Sequence, residues 1–307
     1  MFTPAAELRT AVVGLGPMGM HHVRAAADMP NTKLVAVVDV DRARADATAS
    51  TFNCNALYDA AALVGEVDVA TIATPPEFHA AAAVPLLNAG IACLIEKPLA
   101  MTECDCAEIL AAATKGNAVV AVGHVERFNP ATEALLSEKI SPATIQSITV
   151  QRFSPASGRQ VPVDVVSDMM IHDLDIVLAL KGHDLASTTG YGVAAHHAQS
   201  MLTFADGTRA DLKANRQANE RVRELQLITT THDYLLDFMN RTVAKQNRAT
   251  LQTAMLPIQN HDALRAEIAD FLWAVRNSHA PRVTAQHALT TMRVAWAILD
   301  EMKGCQA

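Results

Sequence analysis

The chain has 307 residues, which is enough for two domains, and half of them are hydrophobic, which excludes global disorder. Its formal net charge is −7 and no basic block stands out, so nucleic-acid binding is not expected. The apolar stretch 80–95 is interrupted by Pro85, Asn88 and Gly90, and no secretory leader is visible, so no membrane span and a cytoplasmic location are expected.

Strands and helices alternate along the first 125 residues. Short apolar runs predict strands at 9–15, 34–39, 68–74, 92–95 and 118–123. Helices are predicted between them, at 18–29, 41–52, 78–89 and 102–115. This alternation predicts an α/β fold with a doubly wound, parallel sheet over residues 1–125.

The pattern changes over residues 126–307. Helices are predicted at 129–140, 162–180, 261–278 and 285–302. Strands are predicted at 145–153, 190–194, 198–204, 209–215 and 225–231. The pair Asp206-Gly207 between two of these strands indicates a hairpin, so the second domain is predicted to be α+β with a mostly antiparallel sheet.

A glycine-rich turn lies between the first strand and the first helix. Gly14 allows the tight turn, Gly16 allows backbone to approach a pyrophosphate, and Gly19 allows close contact between helix and strand. Pro17 and Met18 complete the turn at the helix N-terminus, where free N–H groups and the helix dipole favour anions. In this context the motif predicts a bound dinucleotide.

Asp39 ends the second strand, 20 residues after Gly19. A carboxylate at this place is expected to bond a ribose 2′-hydroxyl and to repel a 2′-phosphate, which favours NAD over NADP. Arg42, close behind, leaves NADP possible.

Two further motifs close strands at the edge where open α/β sheets bind ligands. Thr74-Pro75 ends the third strand, and His79 follows it. His79 either faces the nicotinamide or bonds backbone at a helix start, and the sequence leaves both interpretations open. Glu96-Lys97-Pro98 ends the fourth strand, where a lysine can orient a substrate hydroxyl or the nicotinamide ribose.

Polar residues at the predicted domain junction are candidate substrate contacts. Arg127 and Asn129 follow the last strand of the first domain, and their alternative role is hydrogen bonding at a hinge. Asp168, His172 and Asp175 have the spacing of one helical face, so carboxylates flank a histidine as in an acid–base unit. A structural helix network is the alternative.

No metal site is expected. The five cysteines are scattered, and Cys104-x-Cys106 lacks a second pair at zinc spacing. Hydride transfer to a nicotinamide also needs no metal.

Together these motifs resemble the glucose–fructose oxidoreductase/inositol dehydrogenase (Gfo/Idh/MocA) family over essentially the whole chain. The resemblance implies a Rossmann domain, a second domain with an open, mostly antiparallel sheet that builds a homodimer or homotetramer, and NAD(P)-linked oxidation of a sugar or polyol hydroxyl. It implies that His172 takes the hydroxyl proton, Lys97 polarises the hydroxyl, and Asp168 supports them. The expected cofactor contacts are Gly14, Gly16, Pro17, Met18, Gly19, Asp39, Arg42, Thr74, Pro75, His79, Glu96 and Lys97.

Several stretches are similar to the branch of UDP-N-acetylglucosamine 3-dehydrogenases. They are residues 123–130, 168–175, 214–216 and 234–238, and Met170 stands where many family members have glycine. This resemblance implies oxidation of the sugar 3-hydroxyl to a 3-keto nucleotide sugar for amino-sugar biosynthesis. The expected substrate contacts are Arg127, Asn129, Asp175 and Arg216, with Arg152, Arg159 and Arg221 as further candidates for the diphosphate.

Three alternatives remain open at this point. A dehydrogenase of a free polyol, cyclitol or aldose would keep the fold and the catalytic residues. A non-catalytic NAD-binding sensor would not need Lys97 and His172. A reductase of a flat, biliverdin-type substrate would favour an aromatic pocket, whereas aromatic residues make up only 4% of the chain.

Overall fold

The computed structural model describes residues 7–156 and 163–304. Contacts between Cα atoms divide it into two units. The first contains the described residues up to His124 together with Leu264–Leu289, and the second contains Val125–Ala263 and the residues from Thr290 onward. The predicted division placed all of 126–307 in the second domain and let only the last helix return. In the structure the returning segment is Leu264–Leu289.

The first unit is built on a six-stranded parallel sheet of order β3-β2-β1-β4-β5-β6. Its strands are β1 (Leu8–Val13), β2 (Thr32–Val38), β3 (Asn55–Leu57), β4 (Val69–Ile72), β5 (Ala92–Glu96) and β6 (Val120–Gly123). The helices between them are α1 (Pro17–Asp28), α2 (Arg42–Phe52), α3 (His79–Asn88) and α4 (Glu103–Gly116). The predicted doubly wound sheet is confirmed, but β3 was missed because three half-exposed residues show no periodicity.

The strand order places a crevice at the carboxyl ends of β1 and β4. The chain leaves β1 toward β2 on one side, and β4 continues the sheet on the other side. Ligands of open α/β sheets bind at such a switch point. The predicted glycine turn follows β1 and the predicted Thr74-Pro75 motif follows β4, so both lie at this edge.

Helix α7 (Ala263–Asn277) joins the first unit through its apolar face. Ile268, Phe271 and Leu272 are buried in one cluster with Ala25 and Leu94. Burial of three large apolar side chains is worth roughly 1.5–3 kcal/mol each, which explains why a helix so late in the chain belongs to this unit.

The second unit contains an eight-stranded sheet of order β14-β13-β12-β11-β7-β10-β9-β8. Its strands are β7 (Ile145–Phe153), β8 (Leu185–Val193), β9 (His197–Phe204), β10 (Arg209–Asn215), β11 (Val222–Thr229), β12 (His232–Asp237), β13 (Thr242–Asn247) and β14 (Thr253–Met255). Neighbouring strands run antiparallel except for β7 and β10, so the predicted mostly antiparallel sheet is confirmed. Gly207, at φ +84°, closes the predicted hairpin between β9 and β10.

Helices cover one face of this sheet. They are α5 (Pro130–Ser137), α6 (Ile171–Lys181) and the later turns of α8 (Ala285–Gly304). Inward residues of the strands, such as Val150 and Leu225, share a buried cluster with Leu174 of α6 and Ile298 of α8. The alternation of buried and exposed residues along β7, β9, β10 and β11 follows from this one-sided packing.

The predicted helix 162–180 is not one regular helix. A π-helical turn, Val166–Met170, precedes α6, and residue 162 lies outside the described residues. Such turns insert an extra residue into a helix and often occur at functional sites. Among the helices of the described ranges, none has the length and hydrophobicity that crossing a bilayer requires.

Candidate functional site

The glycine turn packs backbone against backbone. Gly14 has φ +87°, and a Cβ there would lie 2.6 Å from the amide nitrogen of Thr74. A Cβ on Gly19 would lie 1.8 Å from the carbonyl oxygen of Gly14. A Cβ on Gly16, in contrast, would meet no atom within 4 Å, so this residue faces open space. Two glycines therefore bring the turn close to β4, and the third leaves a surface that a ligand can approach.

A cavity of about 780 Å³ opens in front of this turn. Residues of the turn, of the end of β2 and of the end of β4 line it, among them Gly16, Met18, Asp39 and Thr74. Gly16 is the N-cap of α1, where no side chain caps the helix, and Pro17 is the first helical residue. The N-terminus of α1 therefore presents backbone N–H groups to this side, as an anion site requires.

Asp39 is buried at the wall of the cavity. Its Oδ2 accepts a hydrogen bond from the Leu15 N–H at 2.8 Å, and its Oδ1 accepts one from the Asp41 N–H at 2.9 Å. Arg44, which was not among the predicted cofactor contacts, contacts Oδ2 at 3.2 Å. Arg42, which was among them, lies over the Tyr58 ring at 4.1 Å. Asp39 thus links β2 to the glycine turn, and Arg44 lies beside it.

Thr74 and His79 have different environments beside the same cavity. The Oγ1 of Thr74 is buried and has no hydrogen-bond partner among the described residues. His79 is fully buried at the start of α3, and both of its ring nitrogens contact backbone carbonyl oxygens. Burial lowers the pKa of His79, although the carbonyl oxygens of Thr74 and Leu99 act to raise it. This placement matches the second of the two predicted roles, in which His79 bonds backbone.

Glu96 fixes the backbone at Lys97. Its Oε2 accepts the Lys97 N–H at 3.1 Å, and its Oε1 lies 2.8 Å from Nε2 of the fully buried His22. Burial raises the pKa of Glu96, but the hydrogen bond from His22 and the nearby positive charges outweigh it, so the pKa lies below 4.5. Lys97 itself is half-buried, and its peptide bond to Pro98 is cis. His22 had no sequence signal of its own.

A third carboxylate, Glu267 of α7, lies beside this pair. One ligand atom each of His22, Glu96 and Glu267 falls within 4.8 Å of the others, and all three residues are buried. Within this trio, His22 and Glu96 share a hydrogen bond of 2.8 Å.

In the second unit, the predicted acid–base residues lie on two kinds of helix. Asp168 is in the π-helical turn, whereas His172 and Asp175 are in α6. The i, i+4 relation assumed for Asp168 and His172 is therefore not that of a regular α-helix. Asp168 contacts Arg216 Nη2 at 3.4 Å, and Arg216 Nη1 donates to the Val163 carbonyl oxygen. His172 is half-buried.

Arg127 and Asn129 are held by residues of their own unit. The Nε of Arg127 donates to Asp175 at 2.7 Å, and Asp175 is buried. Asn129 caps α5 by accepting from the Ala131 N–H, and its amide donates to Glu126. The bonds of Asn129 match the predicted hinge alternative.

All three guanidinium nitrogens of Arg152 form hydrogen bonds inside the second unit. It is 2% exposed, and its Nε and Nη2 bond Asp173 while its Nη1 bonds Glu126. The prediction that Arg152 could bind a diphosphate is therefore wrong, because every guanidinium nitrogen already faces a carboxylate. Arg159, another predicted candidate, lies outside the described residues.

The residues around the cavity fit a dinucleotide. An uncapped helix N-terminus, an open backbone at Gly16 and a carboxylate at the end of β2 line one space, and Thr74 lines it as well. Its volume is in the range of ordinary ligand sites, and its polar groups are few and directed.

Comparison with known proteins also indicates a dinucleotide-binding protein. Residues 8–124 match the model of a family described as an oxidoreductase family with an NAD-binding Rossmann fold. UDP-N-acetylglucosamine 3-dehydrogenase of Acidithiobacillus ferrooxidans is 32% identical over 288 residues, which cover 90% of each chain. scyllo-Inositol 2-dehydrogenase (NAD(+)) of Bacillus subtilis is 23% identical over 97% of this chain and 94% of its own length.

Solved structures also resemble the chain over almost its full length. The UDP-N-acetylglucosamine 3-dehydrogenase of Acidithiobacillus ferrooxidans superposes with a TM-score of 0.91 at 29% identity, covering 97% of this chain and 98% of that one. A scyllo-inositol dehydrogenase from Lactobacillus casei with bound NAD(H) gives a TM-score of 0.82 at 21% identity, covering 97% of each chain. The second likeness concerns the fold alone.

Proposed function

We propose a substrate for this chain, which belongs to the Gfo/Idh/MocA family of NAD-binding oxidoreductases and is a dehydrogenase of CH–OH groups. The proposed substrate is a UDP-N-acetylhexosamine. The reaction would convert the sugar 3-hydroxyl to a 3-keto group for amino-sugar biosynthesis. The observation that carries this proposal is the likeness to the Acidithiobacillus enzyme, which extends through both units.

The first unit would hold the cofactor. The N-terminus of α1 would receive the diphosphate, Gly16 would let it approach, and Asp39 would bond a ribose hydroxyl. Asp39 favours NAD, because its carboxylate repels a 2′-phosphate. Arg44, which contacts Asp39, and Arg42, which lies over Tyr58 of the cavity lining, leave NADP possible. When bound, NAD⁺ supplies the acceptor for the hydride that leaves the carbinol carbon.

The proton of the reaction would be handled by residues of the chain. Lys97 would donate a hydrogen bond to the oxygen of the substrate hydroxyl and orient it. His172 would remove the hydroxyl proton as the C–H bond breaks with both its electrons, so that a C=O bond forms and charge balances. Asp168 would support this arrangement, and its contact with Arg216 holds its carboxylate in place. His172 is half-buried, which suits a base that a substrate must reach.

The diphosphate of the substrate requires cations that are not already neutralised. Arg223 of β11 is 34% exposed, and its Nε has no partner among the described residues. Its contact with Glu126 is 3.7 Å, and Arg152 bonds the same carboxylate oxygen at 2.9 Å. Burial and the charges of Arg152 and Arg221 lower the pKa of Arg223, so an anion would relieve this repulsion. We therefore propose that Arg221, which is exposed, and Arg223 bind the diphosphate.

A substrate panel tests the proposal. Purified protein is mixed with NAD⁺ and UDP-N-acetylglucosamine, UDP-N-acetylgalactosamine, UDP-glucose, myo-inositol or glucose, with an aminotransferase and glutamate present to consume an unstable ketone. Absorbance of the reduced cofactor with UDP-N-acetylhexosamines alone would support the proposal. Turnover of inositol or glucose instead would move the substrate to free polyols while keeping the catalytic roles of Lys97 and His172.

The diphosphate assignment has its own test. Arg223→Gln is expected to raise the KM for the nucleotide sugar by roughly tenfold or more, since a charge-assisted hydrogen bond is worth about 1.5–3 kcal/mol. The KM for NAD⁺ should stay unchanged. Arg248→Gln serves as the matched control, because Arg248 is also an arginine of the second unit but is paired with Asp233 and Gln146. Equal KM values in the two variants would remove Arg223 from the diphosphate site.

A further inference from the structure

His79 connects the ends of two neighbouring strands. Its Nε2 lies 3.0 Å from the carbonyl oxygen of Thr74, which follows β4. Its Nδ1 lies 3.0 Å from the carbonyl oxygen of Pro98 and 3.3 Å from that of Leu99, which follow β5. The ring is fully buried, so substrate and cofactor do not reach either nitrogen.

The carbonyl groups that His79 contacts belong to the turn that carries Lys97. This turn, residues 96–99, is held from two directions. Glu96 accepts the Lys97 N–H, and Glu96 is in turn bonded by His22. On the other side, His79 Nδ1 bonds the two carbonyl oxygens that follow Lys97. Residues on both sides of Lys97 therefore have their backbone polar groups fixed by buried side chains.

Carbonyl oxygens only accept hydrogen bonds, so each ring nitrogen must carry a proton to bond one. Because burial lowers the pKa of His79, the ring is neutral at pH 7 and has one N–H to donate. Nδ1 lies against two carbonyl oxygens and Nε2 against one, so we place the proton on Nδ1. The two ends differ in what they hold. The Nδ1 end holds the turn of Lys97, and the Nε2 end holds the strand end that lines the cofactor cavity.

We propose that His79 is a positioning residue for Lys97, acting through its Nδ1 bonds to Pro98 and Leu99. The inference rests on the proposed role of Lys97 at the substrate hydroxyl. A hydrogen bond from a lysine to a reacting oxygen depends on placement, and a misplacement of about 1 Å can cost on the order of 100-fold in rate. The buried imidazole supplies this placement without touching the reacting atoms.

Two amide variants separate the two ends of the bridge. In His79→Asn, the side-chain NH₂ group stands where Nδ1 was and can still bond the Pro98 oxygen. In His79→Gln, it stands where Nε2 was and can still bond the Thr74 oxygen. We expect His79→Asn to retain kcat within about threefold, and His79→Gln to lose roughly tenfold or more. The dissociation constant for NAD⁺, measured by fluorescence, should change little in His79→Gln.

An isotope effect reports on the chemical step. With substrate deuterated at the carbinol carbon, His79→Gln should show a larger primary isotope effect on kcat than His79→Asn, because a misplaced Lys97 slows bond cleavage. All measurements are made at 10 °C with the melting temperature of each variant recorded, so that loss of folded protein is separated from loss of rate. A fall in kcat that is equal in the two variants, or an unchanged isotope effect, would overturn the inference.

Lys97→Met is the reference variant. If Lys97→Met is inactive and both His79 variants keep wild-type kcat, the proposed role of Lys97 stands and the positioning role of His79 is refuted. If Lys97→Met keeps wild-type turnover, the role of Lys97 in the proposed function fails first, and the inference about His79 fails with it.

Discussion

Arg152→Met is expected to destabilise the second unit strongly at neutral pH. Arg152 is 2% exposed and donates to Asp173 through Nε and Nη2 and to Glu126 through Nη1. Methionine fills much of the same volume but leaves the Asp173 carboxylate buried without its cation. Breaking a buried ion pair in this way costs about 3–5 kcal/mol. The expected fall in melting temperature is on the order of 10 °C for a unit of this size.

The size of the loss should depend on pH. Burial raises the pKa of Asp173 above its ordinary 3.8 even with Arg152 beside it, and removal of that cation would raise it further. The cost of Arg152→Met should therefore grow as pH rises from the pKa of Asp173 in the wild type to its higher pKa in the variant, and it should be constant above that. It should shrink as pH falls toward the ordinary value of an aspartate, because Asp173 is then protonated in both proteins.

Urea unfolding followed by circular dichroism at pH 7.5 and at pH 4.0, close to the ordinary pKa of an aspartate, measures both effects. Arg9→Met is the matched control, because Arg9 also contacts one aspartate through two nitrogens, but its side chain is 45% exposed. Solvent screens that pair, so its loss should change the urea midpoint little. A shift no larger for Arg152→Met than for Arg9→Met, or one of the same size at both pH values, would refute the reasoning.

Four other predictions concern the site. His172→Ala should lower kcat by roughly 10²–10⁴-fold, as loss of a general base does, while NAD⁺ binding persists; near wild-type turnover would remove His172 from that role. Asp39→Ala should weaken NAD⁺ binding by about tenfold or more and NADP⁺ binding less, which paired titrations would show or contradict. Glu96 has a lowered pKa, so its carboxylate contributes stability above pH 4.5 that is lost as pH falls through the folded value. The urea midpoints of wild type and Glu96→Gln should accordingly converge below pH 4.5, and a constant gap would argue against this. Gly19→Ala should abolish NAD⁺ binding and lower the melting temperature, because its Cβ would lie 1.8 Å from the Gly14 oxygen, and a normally folded, NAD-binding variant would contradict that close contact.

Local patterns in the sequence were sufficient to predict most strands, helices and turns of the first unit. Buried parallel strands are short apolar runs, and helices between them begin at caps such as Thr102, whose hydroxyl accepts the Asp105 N–H at 3.1 Å. Gly14 and Gly19 could be recognised because the turn they form requires a missing Cβ at each place. The hairpin at Asp206-Gly207 could also be predicted, because the turn requires a positive φ and glycine adopts it readily. Gly207 has φ +84°.

Other features depended on which distant residues meet. Arg152 bonds Asp173 and Glu126, which are 21 and 26 residues away in the chain, and no spacing rule connects them. From the sequence alone, Arg152 was therefore a predicted candidate for the diphosphate. His22 and His79 were likewise indistinguishable from solvated histidines or ligand contacts until their buried partners were known. The π-helical turn at Val166–Met170 could not be predicted either. It inserts one residue into the helix, and the surrounding helix has apolar residues on several faces, so no change of periodicity marks the insertion.

By itself, the sequence determined the order of strands and helices, the glycine turn, the position of Asp39 and the family, because these depend on backbone conformation and on burial along single elements. Only the tertiary structure decided which arginines pair with carboxylates and which carboxylates are fixed by hydrogen bonds. It also decided that α7 packs in the first unit. The physical reason is that the free energy of a buried polar group depends on the partners that packing brings to it, and these partners are distant in the sequence.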